Sequence, residues 1–568
     1  MPVSEMEFDY VIVGGGSAGS VLANRLSAKP GNRVAVFEAG PDTPPDAIPK
    51  IIADSYPGLS YFDPKYHWTD LRVYTRSPRL NDGTSRPSKL EQAKVMGGGS
   101  SINGQFAVRG MPLDYDGWEA MGATGWGWEG MLPYLKKLER DQDFPGGLHG
   151  DEGRIPIRRI FKETWPGFTQ AVLAATEAGG DPYRLDLNGT TADGSFPLPL
   201  ANEHDRRVST AIGYLDAETR KRPNLSIFAE AFVERLVFDG RQATGIDVVL
   251  DGVRRRVKAG EVIVSSGALH TPALLMRSGV GPGGHLAHLG IDVVADVRGV
   301  GENLTDHPHL SVGAHLKPAG RLPKSMRRHI FLGVRYSSGM ADCDPGDMLM
   351  MPVNRAGWHP MGWLMGGLNV CVNKSYSTGT VRLLSADPGR EPEVDLNLAS
   401  DGRDLQRLVD GFKRLYSIME SPQVQSQINT WFLAGYSDAV RAMSVKTPMN
   451  WARMAVAAGL FDYLPFLRET LLKQRFGTTD KLHAMAKNDD AIADWVKASV
   501  WSGWHVSGTC RLGAADDPMA VLDPHCRVRG VGGLRVVDAS VMPSICSANT
   551  NITTIAVAEK ASDLILNG

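Results

Sequence analysis

Gly14, Gly16 and Gly19 form a G-x-G-x-x-G array between the apolar run Phe8–Val13 and the residues Ala18, Val21, Leu22 and Leu26, which recur at helical spacing. A second run, Arg33–Phe37, ends at Glu38. Each residue type has a task in binding a dinucleotide. Gly14 makes a tight turn, Gly16 admits a pyrophosphate to the backbone, and Gly19 packs helix against strand. The helix beginning at Ser17 and Ala18 offers free N–H groups and a partial positive charge to phosphates, and Glu38 accepts hydrogen bonds from the adenosine ribose. Strand, turn, helix and closing acid agree, which sets the array apart from an ordinary glycine-rich loop. A second block, KVMGGGSSINGQFAVRG from Lys94, is a flexible, donor-rich turn able to lie against a cofactor; it holds Gly98, Ser100, Asn103 and Gly104.

The elements positioning these residues must come from a chain of 568 residues, long enough for at least two domains with substantial cores. A net charge of -2 gives no reason to expect nucleic acid or an anionic membrane as partner. Five cysteines, odd in number and without C-x-x-C, argue against a disulfide framework or zinc site and suit a reducing compartment. The acidic N-terminus lacks the features of a signal peptide, and no apolar run of about twenty residues appears, so a cytoplasmic location is expected.

Along the chain, Asp114–Leu138 reads as core helices, and Leu148–Arg159 as a turn leading into a strand. Pro223–Phe238 and Gly245–Val249 read as successive strands. Val262–Ser266 is a buried strand of the opening sheet, closed by Gly267, with a helix expected from near Pro272. Gly299–His309 is a loop whose two histidines, His307 and His309, take a structural role rather than binding zinc. Between Ser311 and Thr380, strand-like runs alternate with Met- and Trp-rich turns; Asn369–Lys374 and Gly379–Leu384 read as antiparallel strands. Asp404–Glu420 is an amphipathic helix. Val440–Met485 is helical, interrupted by Pro465, with a basic bias from Arg453, Arg468, Lys473, Arg475 and Lys481. It reads as a hairpin packed on its own domain, or as a lid, oligomer contact or shallow membrane anchor.

Four ordered blocks resemble the glucose–methanol–choline oxidoreductases. They are the opening glycine array, GGGSSINGQFAVRG from Gly97, GALHTPALLMRSGVG from Gly267, and a tail with WHVSGTCRLG from Trp504 and LRVVDASVMPSICSANTN from Leu534. The resemblance spans the chain and implies FAD. It implies an α/β (α+β overall) fold, a Rossmann-like FAD-binding domain with a substrate domain of antiparallel sheet backed by helices. The expected division is 1–160, 205–310 and 496–568 for FAD, and 161–204 and 311–495 for substrate, with a helical insertion at about 440–485. Some members attach FAD through a histidine in the second block. Ile102 stands there, so non-covalent FAD is expected.

The same resemblance makes His505 the base that takes the alcohol proton and Asn549 its orienting partner. An amide can hydrogen-bond the substrate oxygen but cannot readily accept its proton. Backbone N–H groups of Asn551, Ile552 and Thr553, at a helix N-terminus, are expected to face the flavin pyrimidine ring. Asp538 and Ala539 resemble contacts to the ribityl and phosphate region, and Val233 the adenine contact. Trp504 either walls the substrate or packs; Met350 and Val372 are expected beside it. Within the family the chain resembles the choline-dehydrogenase-like branch and its aryl- and furan-alcohol oxidases, implying oxidation of a primary alcohol with electrons passing to O2. The alternatives are a quinone- or dye-linked dehydrogenase of bulkier, aliphatic or polyether alcohols, peripheral to a membrane, a lyase that uses the histidine for proton transfer alone, and a non-catalytic flavin-binding protein, against which the intact His505 and Asn549 argue.

Overall fold

Phe8–Val13 is apolar because it runs through the middle of a sheet. The computed structural model describes residues 6–79, 85–436, 438–476 and 479–567. Strand β1 (Glu7–Val13) is followed by helix α1 (Ser17–Ser27) and β2 (Val34–Phe37). Later come β3 (Leu225–Phe228), β4 (Phe232–Asp239), β5 (Gln242–Leu250) and β6 (Val253–Val264). Their spatial order is β3-β2-β1-β6-β5-β4, with the strand Leu534–Val536 also paired to β6. β1 pairs in parallel with β2 and β6, Val11 opposite Ala35 and Val262, whereas β4, β5 and the first half of β6 form an antiparallel extension. Val11, Ile12, Val34, Val36, Val262 and Ile263 have no exposed surface, as a sheet covered on both faces requires. A Cβ on Gly19 would run into the Gly14 carbonyl oxygen, so only glycine lets α1 lie this close to the turn.

Helix α2 spans Gly267–Arg277, with Pro272 inside it. The sequence places its start five residues too late because the cap is remote: Asp538 accepts hydrogen bonds from the Gly267 N–H at 2.8 Å and the Thr271 hydroxyl at 2.6 Å. The local N-cap residue, Ser266, makes no side-chain cap hydrogen bond.

The second large sheet carries β7 (Pro308–Leu316), β8 (Leu332–Tyr336), β9 (Met348–Val353), β10 (Met365–Val372) and β11 (Ile428–Ala434), ordered β11-β7-β10-β9-β8 and continued by Gly194–Pro197. Helix α3 (Gly402–Glu420) covers one face with Leu408, Phe412, Leu415 and Met419. Met348, Met350 and Met351 belong to a strand rather than to a turn. The segment expected as a strand after Gly379 forms Thr380–Arg382, which pairs with Glu393–Asp395 in a separate small sheet, not with β10.

The 440–485 segment is helical, with α4 (Pro448–Tyr463) and α5 (Pro465–Phe476) meeting at Pro465. It is tied down by the Arg321–Asp462 ion pair and by the Trp358 indole N–H donating to the Ser444 carbonyl at 2.7 Å. Its outer face exposes Met449, Trp451, Val456, Tyr463 and Phe466. The side chains of Lys473, Arg475 and Lys481, part of the basic bias, lie outside the described residues. No helix among the described residues is long and apolar enough to cross a membrane. The closing helix α6 (Thr550–Leu566) packs on α1, where buried Glu559 pairs with Arg25 and accepts from the Tyr214 hydroxyl at 2.6 Å.

Candidate active site

His505 is held by two loops that the sequence separates by about 200 residues. Thr305 and Ser507 exchange backbone hydrogen bonds, both 3.0 Å. Asp306 Oδ1 then accepts from the N–H groups of His307 at 2.7 Å and His505 at 2.9 Å, while Oδ2 accepts from the Ser502 hydroxyl. Burial pushes the Asp306 carboxyl up to about 6, against the pull of those donors. Trp504, just before the histidine, adopts φ 59°. That conformation is costly for a bulky side chain, of order 1–3 kcal/mol, and the surrounding contacts hold it there.

A chain of hydrogen bonds fixes the tautomer of His505. The Cys546 carbonyl can only accept, so His307 Nε2, 3.1 Å away, carries a proton. His307 Nδ1 is therefore an acceptor, and His505 Nδ1, at 2.8 Å, must donate to it. This leaves the lone pair of His505 on Nε2, 2.9 Å from the Asn549 amide nitrogen. Burial, reinforced by His307, holds His505 well below the usual histidine range, and burial lowers His307 to about 3. Both rings are neutral at physiological pH, and Nε2 of His505 is an unprotonated nitrogen that accepts from the Asn549 amide. Assigning His307 and His309 to loop structure missed this arrangement: His307 bonds to His505, and His309 lies 6.4 Å from it, centroid to centroid.

The two histidine-bearing loops open onto a cavity of about 520 Å³. Of the residues expected at the cofactor, Gly14, Gly16, Ser17, Ala18, Glu38, Gly98, Asn103, Gly104, Val233, Asp538, Ala539 and Asn551 line it, as do Trp504, His505 and Asn549. Ser100 does not: it is buried with its hydroxyl on the Gly97 carbonyl at 2.5 Å. The side chains of Ile552 and Thr553 also turn into the core, Thr553 meeting the Tyr115 hydroxyl at 3.1 Å, so only their backbone can serve a ligand. Thr550, Asn551 and Thr554 face the cavity instead.

Met350 and Val372 are misplaced by one strand register. Both are fully buried in the layer between the second sheet and α3, whereas Met351 and Asn369, paired across β9 and β10, line the cavity from the other face. Alternation along a strand puts adjacent residues on opposite faces, and only the position of α3 decides which face is the core. Aromatic rings wall the cavity near His505. Trp504 lies 5.1 Å from Tyr61, 5.2 Å from Tyr436 and 5.2 Å from Trp501, and the tilted ring of His309 lies 4.6 Å from Trp501.

The opposite end has the form of a dinucleotide cradle. Gly98 packs on Gly16 so closely that a Cβ there would sit 2.8 Å from the Gly16 Cα, while a Cβ on Gly99 would meet nothing within 4 Å. Glu38 accepts from the N–H groups of Gly15 at 2.9 Å and Gly40 at 2.8 Å, which aims its carboxylate at the cavity rim and leaves lone pairs free. Ser17 donates to the Asn551 amide oxygen at 2.8 Å, joining the N-termini of α1 and α6 beside the cavity. Glycine backbone, two helix N-termini and a buried acid fit the phosphates, ribose and flavin ring of FAD.

Comparison with known proteins agrees with this chemistry. Family models described as GMC oxidoreductase match residues 8–309 and 375–558. The chain is 41% identical to 5-(hydroxymethyl)furfural oxidase of Methylovorus sp. (strain MP688), covering 98% of each chain. It is 32% identical to oxygen-dependent choline dehydrogenase of Vibrio vulnificus (strain YJ016), over 99% of this chain and 95% of that one. The crystal structure of pyridoxine 4-oxidase from Mesorbium loti superposes with a TM-score of 0.81 at 25% identity, covering 99% of each chain. With a glycine cradle at one end of its cavity and a neutral histidine at the other, this chain belongs to the GMC oxidoreductases, and its cofactor is FAD.

Proposed function

We propose that the protein oxidises a primary alcohol on an aryl or furan ring to the aldehyde and passes the electrons to O2. The observation that carries this reading is the unprotonated Nε2 of His505, which accepts from the Asn549 amide at 2.9 Å, in an aromatic-walled cavity continuous with the cofactor cradle. Bound FAD supplies the acceptor for the carbon-bound hydride. Asn549 holds the alcohol oxygen, His505 Nε2 accepts the hydroxyl proton, and the wall of Trp504, Tyr61 and Tyr436 excludes water and packs on a flat ring. Residues 1–160, 205–310 and 496–568 are read as the FAD-binding part, the remainder as the part that receives substrate, in a cytoplasmic protein.

Anaerobic mixing with a panel of alcohols, followed by air, tests this. Bleaching by benzyl or furfuryl alcohols and rapid recolouring in air supports the oxidase. Slow recolouring would redirect the acceptor to a quinone, a reading that the exposed apolar face of α4 and α5 favours. Absence of bleaching by every alcohol would overturn the reading.

FAD is read as non-covalent, since Ile102, which lines the cavity, has no nucleophilic atom. Acid precipitation should release all the yellow cofactor; colour retained in the pellet contradicts this. His307 is read as a positioning residue. His307→Ala leaves the His505 Nδ1–H without its acceptor, and alcohol-driven bleaching should slow by roughly up to a hundredfold. Its pH profile should shift, and His307→Gln, which restores an acceptor, should recover part of the rate.

A further inference from the structure

The roof of the cavity carries a cation that no carboxylate of the described residues pairs with. Met351, Val353 and Arg355 follow one another at two-residue spacing along β9 and its continuation, and all three line the cavity. Arg355 is 3% exposed. Its guanidinium is held between the rings of Tyr56 and Trp363, 4.0 Å from each centroid. Its Nε donates to the Gly357 carbonyl at 2.8 Å and one terminal nitrogen, Nη2, to the Trp358 carbonyl at 3.3 Å; the other, Nη1, is buried and has no partner among the described residues.

No described carboxylate pairs with Arg355. The nearby Asp54 is engaged by Arg327, and the neighbouring His329 is held neutral, well below the usual histidine range, by burial and by Arg328 and Arg355. Burial lowers the guanidinium to about 10, which keeps it charged at neutral pH. A buried charge that is oriented by two aromatic faces and two carbonyls, yet lacks a counter-ion, is unfavourable unless an anion arrives with a ligand. Among the described residues that line the cavity from the second sheet and its flanking loops, Arg355 alone bears a fixed charge.

We propose that Arg355 is an anion-recognition subsite, and that the alcohol this enzyme oxidises carries a carboxylate at the end remote from its CH2OH group. The inference rests on the alcohol-oxidation reading above and adds the substrate's second functional group. The carboxylate neutralises the guanidinium, reaching the buried Nη1–H once the Arg355 side chain shifts toward the cavity, while the ring between the two groups lies against the aromatic wall. The carboxylate is unchanged by the reaction: bound FAD would take the hydride of the CH2OH carbon, and His505 would take the proton of its oxygen. Because the contact is the same before and during hydride transfer, it should appear in KM rather than in kcat.

The test compares 4-(hydroxymethyl)benzoate and the longer 4-(hydroxymethyl)cinnamate, each with its neutral methyl ester. For at least one pair the free acid should show a KM at least about tenfold lower than the ester, the scale of a charge-assisted hydrogen bond. Arg355→Met should erase that difference, and Arg355→Lys, which keeps the charge without the planar fork, should restore part of it. Equal KM values within both pairs, or a preference that survives Arg355→Met, would overturn the proposal. Calorimetric titration of the holoenzyme with 4-methylbenzoate and 4-methylcinnamate, which have no hydroxyl to oxidise, reads the subsite without turnover. Binding of an acid at least about tenfold tighter than its methyl ester, weakening as salt rises, supports it even where no alcohol bleaches the flavin. The absence of such a preference removes the subsite even where alcohols are oxidised.

Discussion

His505→Ala gives a yellow, folded protein in which alcohol bleaches the flavin at least about a hundredfold more slowly, the scale of a lost general base. The expectation rests on geometry. Nε2 is the one ring nitrogen free to take a proton, because the carbonyl of Cys546 and the ring of His307 commit the other to donation. The fold should tolerate the change, since among the described residues the His505 side chain hydrogen-bonds to His307 and Asn549 alone, and the loop itself is held by Asp306 through backbone N–H groups. Stopped-flow bleaching under nitrogen, with the visible spectrum of the resting protein as control, is the measurement. An unchanged rate removes His505 from proton abstraction and makes its tautomer incidental. The sign of the pH dependence follows from the lowered basicity of His505. It is already neutral at physiological pH, so bleaching should be insensitive to pH through neutrality and fall only in acid, as the imidazole becomes protonated.

The cofactor half of this molecule was legible because local sequence and tertiary task coincide there. The glycines at 14, 16 and 19 mark the turn, the flanking runs form β1, α1 and β2, and Glu38 closes the unit at the cavity. The substrate half was less legible because its logic is non-local. Met350 and Met351 are equivalent as apolar strand residues, and only the packing of α3 on one face sends the second to the cavity. His307 and His309 carry no pattern of their own; they matter because Thr305 pairs with Ser507 and brings the loops together. The start of α2 was hidden for the same reason, since its cap is an aspartate distant in sequence. Arg355 stands outside every motif, and only its burial without a counter-ion singles it out.

The second large effect concerns stability. Glu139, Asp141 and His149 lie close enough together to suggest a metal site, but cations of the chain already hold the carboxylates. Arg109 pairs with Glu139, and Arg159 donates to Asp141 at 2.9 Å and to Asp186 at 3.1 Å. His149 touches all three acids: Nδ1 lies 3.1 Å from Glu139 and 3.0 Å from Asp141, and Nε2 lies 2.7 Å from Asp186. Two arginines against four carboxylates, Asp143 included, leave two negative charges, and a protonated imidazole balances one of them. Burial works against that proton, but hydrogen bonds to Asp141, Asp186 and Glu139 outweigh it and push His149 up to about 10. A group whose basicity is raised by folding contributes fully below its unfolded value, about 6.5, and loses that contribution as pH rises through its folded value. Thermal stability should therefore fall between about pH 6.5 and 10. His149→Gln, which leaves the acids short of a cation, should lower stability at neutral pH by ~3–5 kcal/mol and flatten that decline. The consequence reaches the active site through the chain: the segment from Gly104 and Phe106 at the cavity continues directly into Arg109, whose side chain is clamped to Glu139 and to the Leu148 carbonyl at 2.6 Å. Loosening the cluster in His149→Gln should therefore weaken retention of FAD, read as free flavin fluorescence on dilution. A variant with unchanged melting at pH 7 and full flavin retention would show that the imidazole carries no charge there.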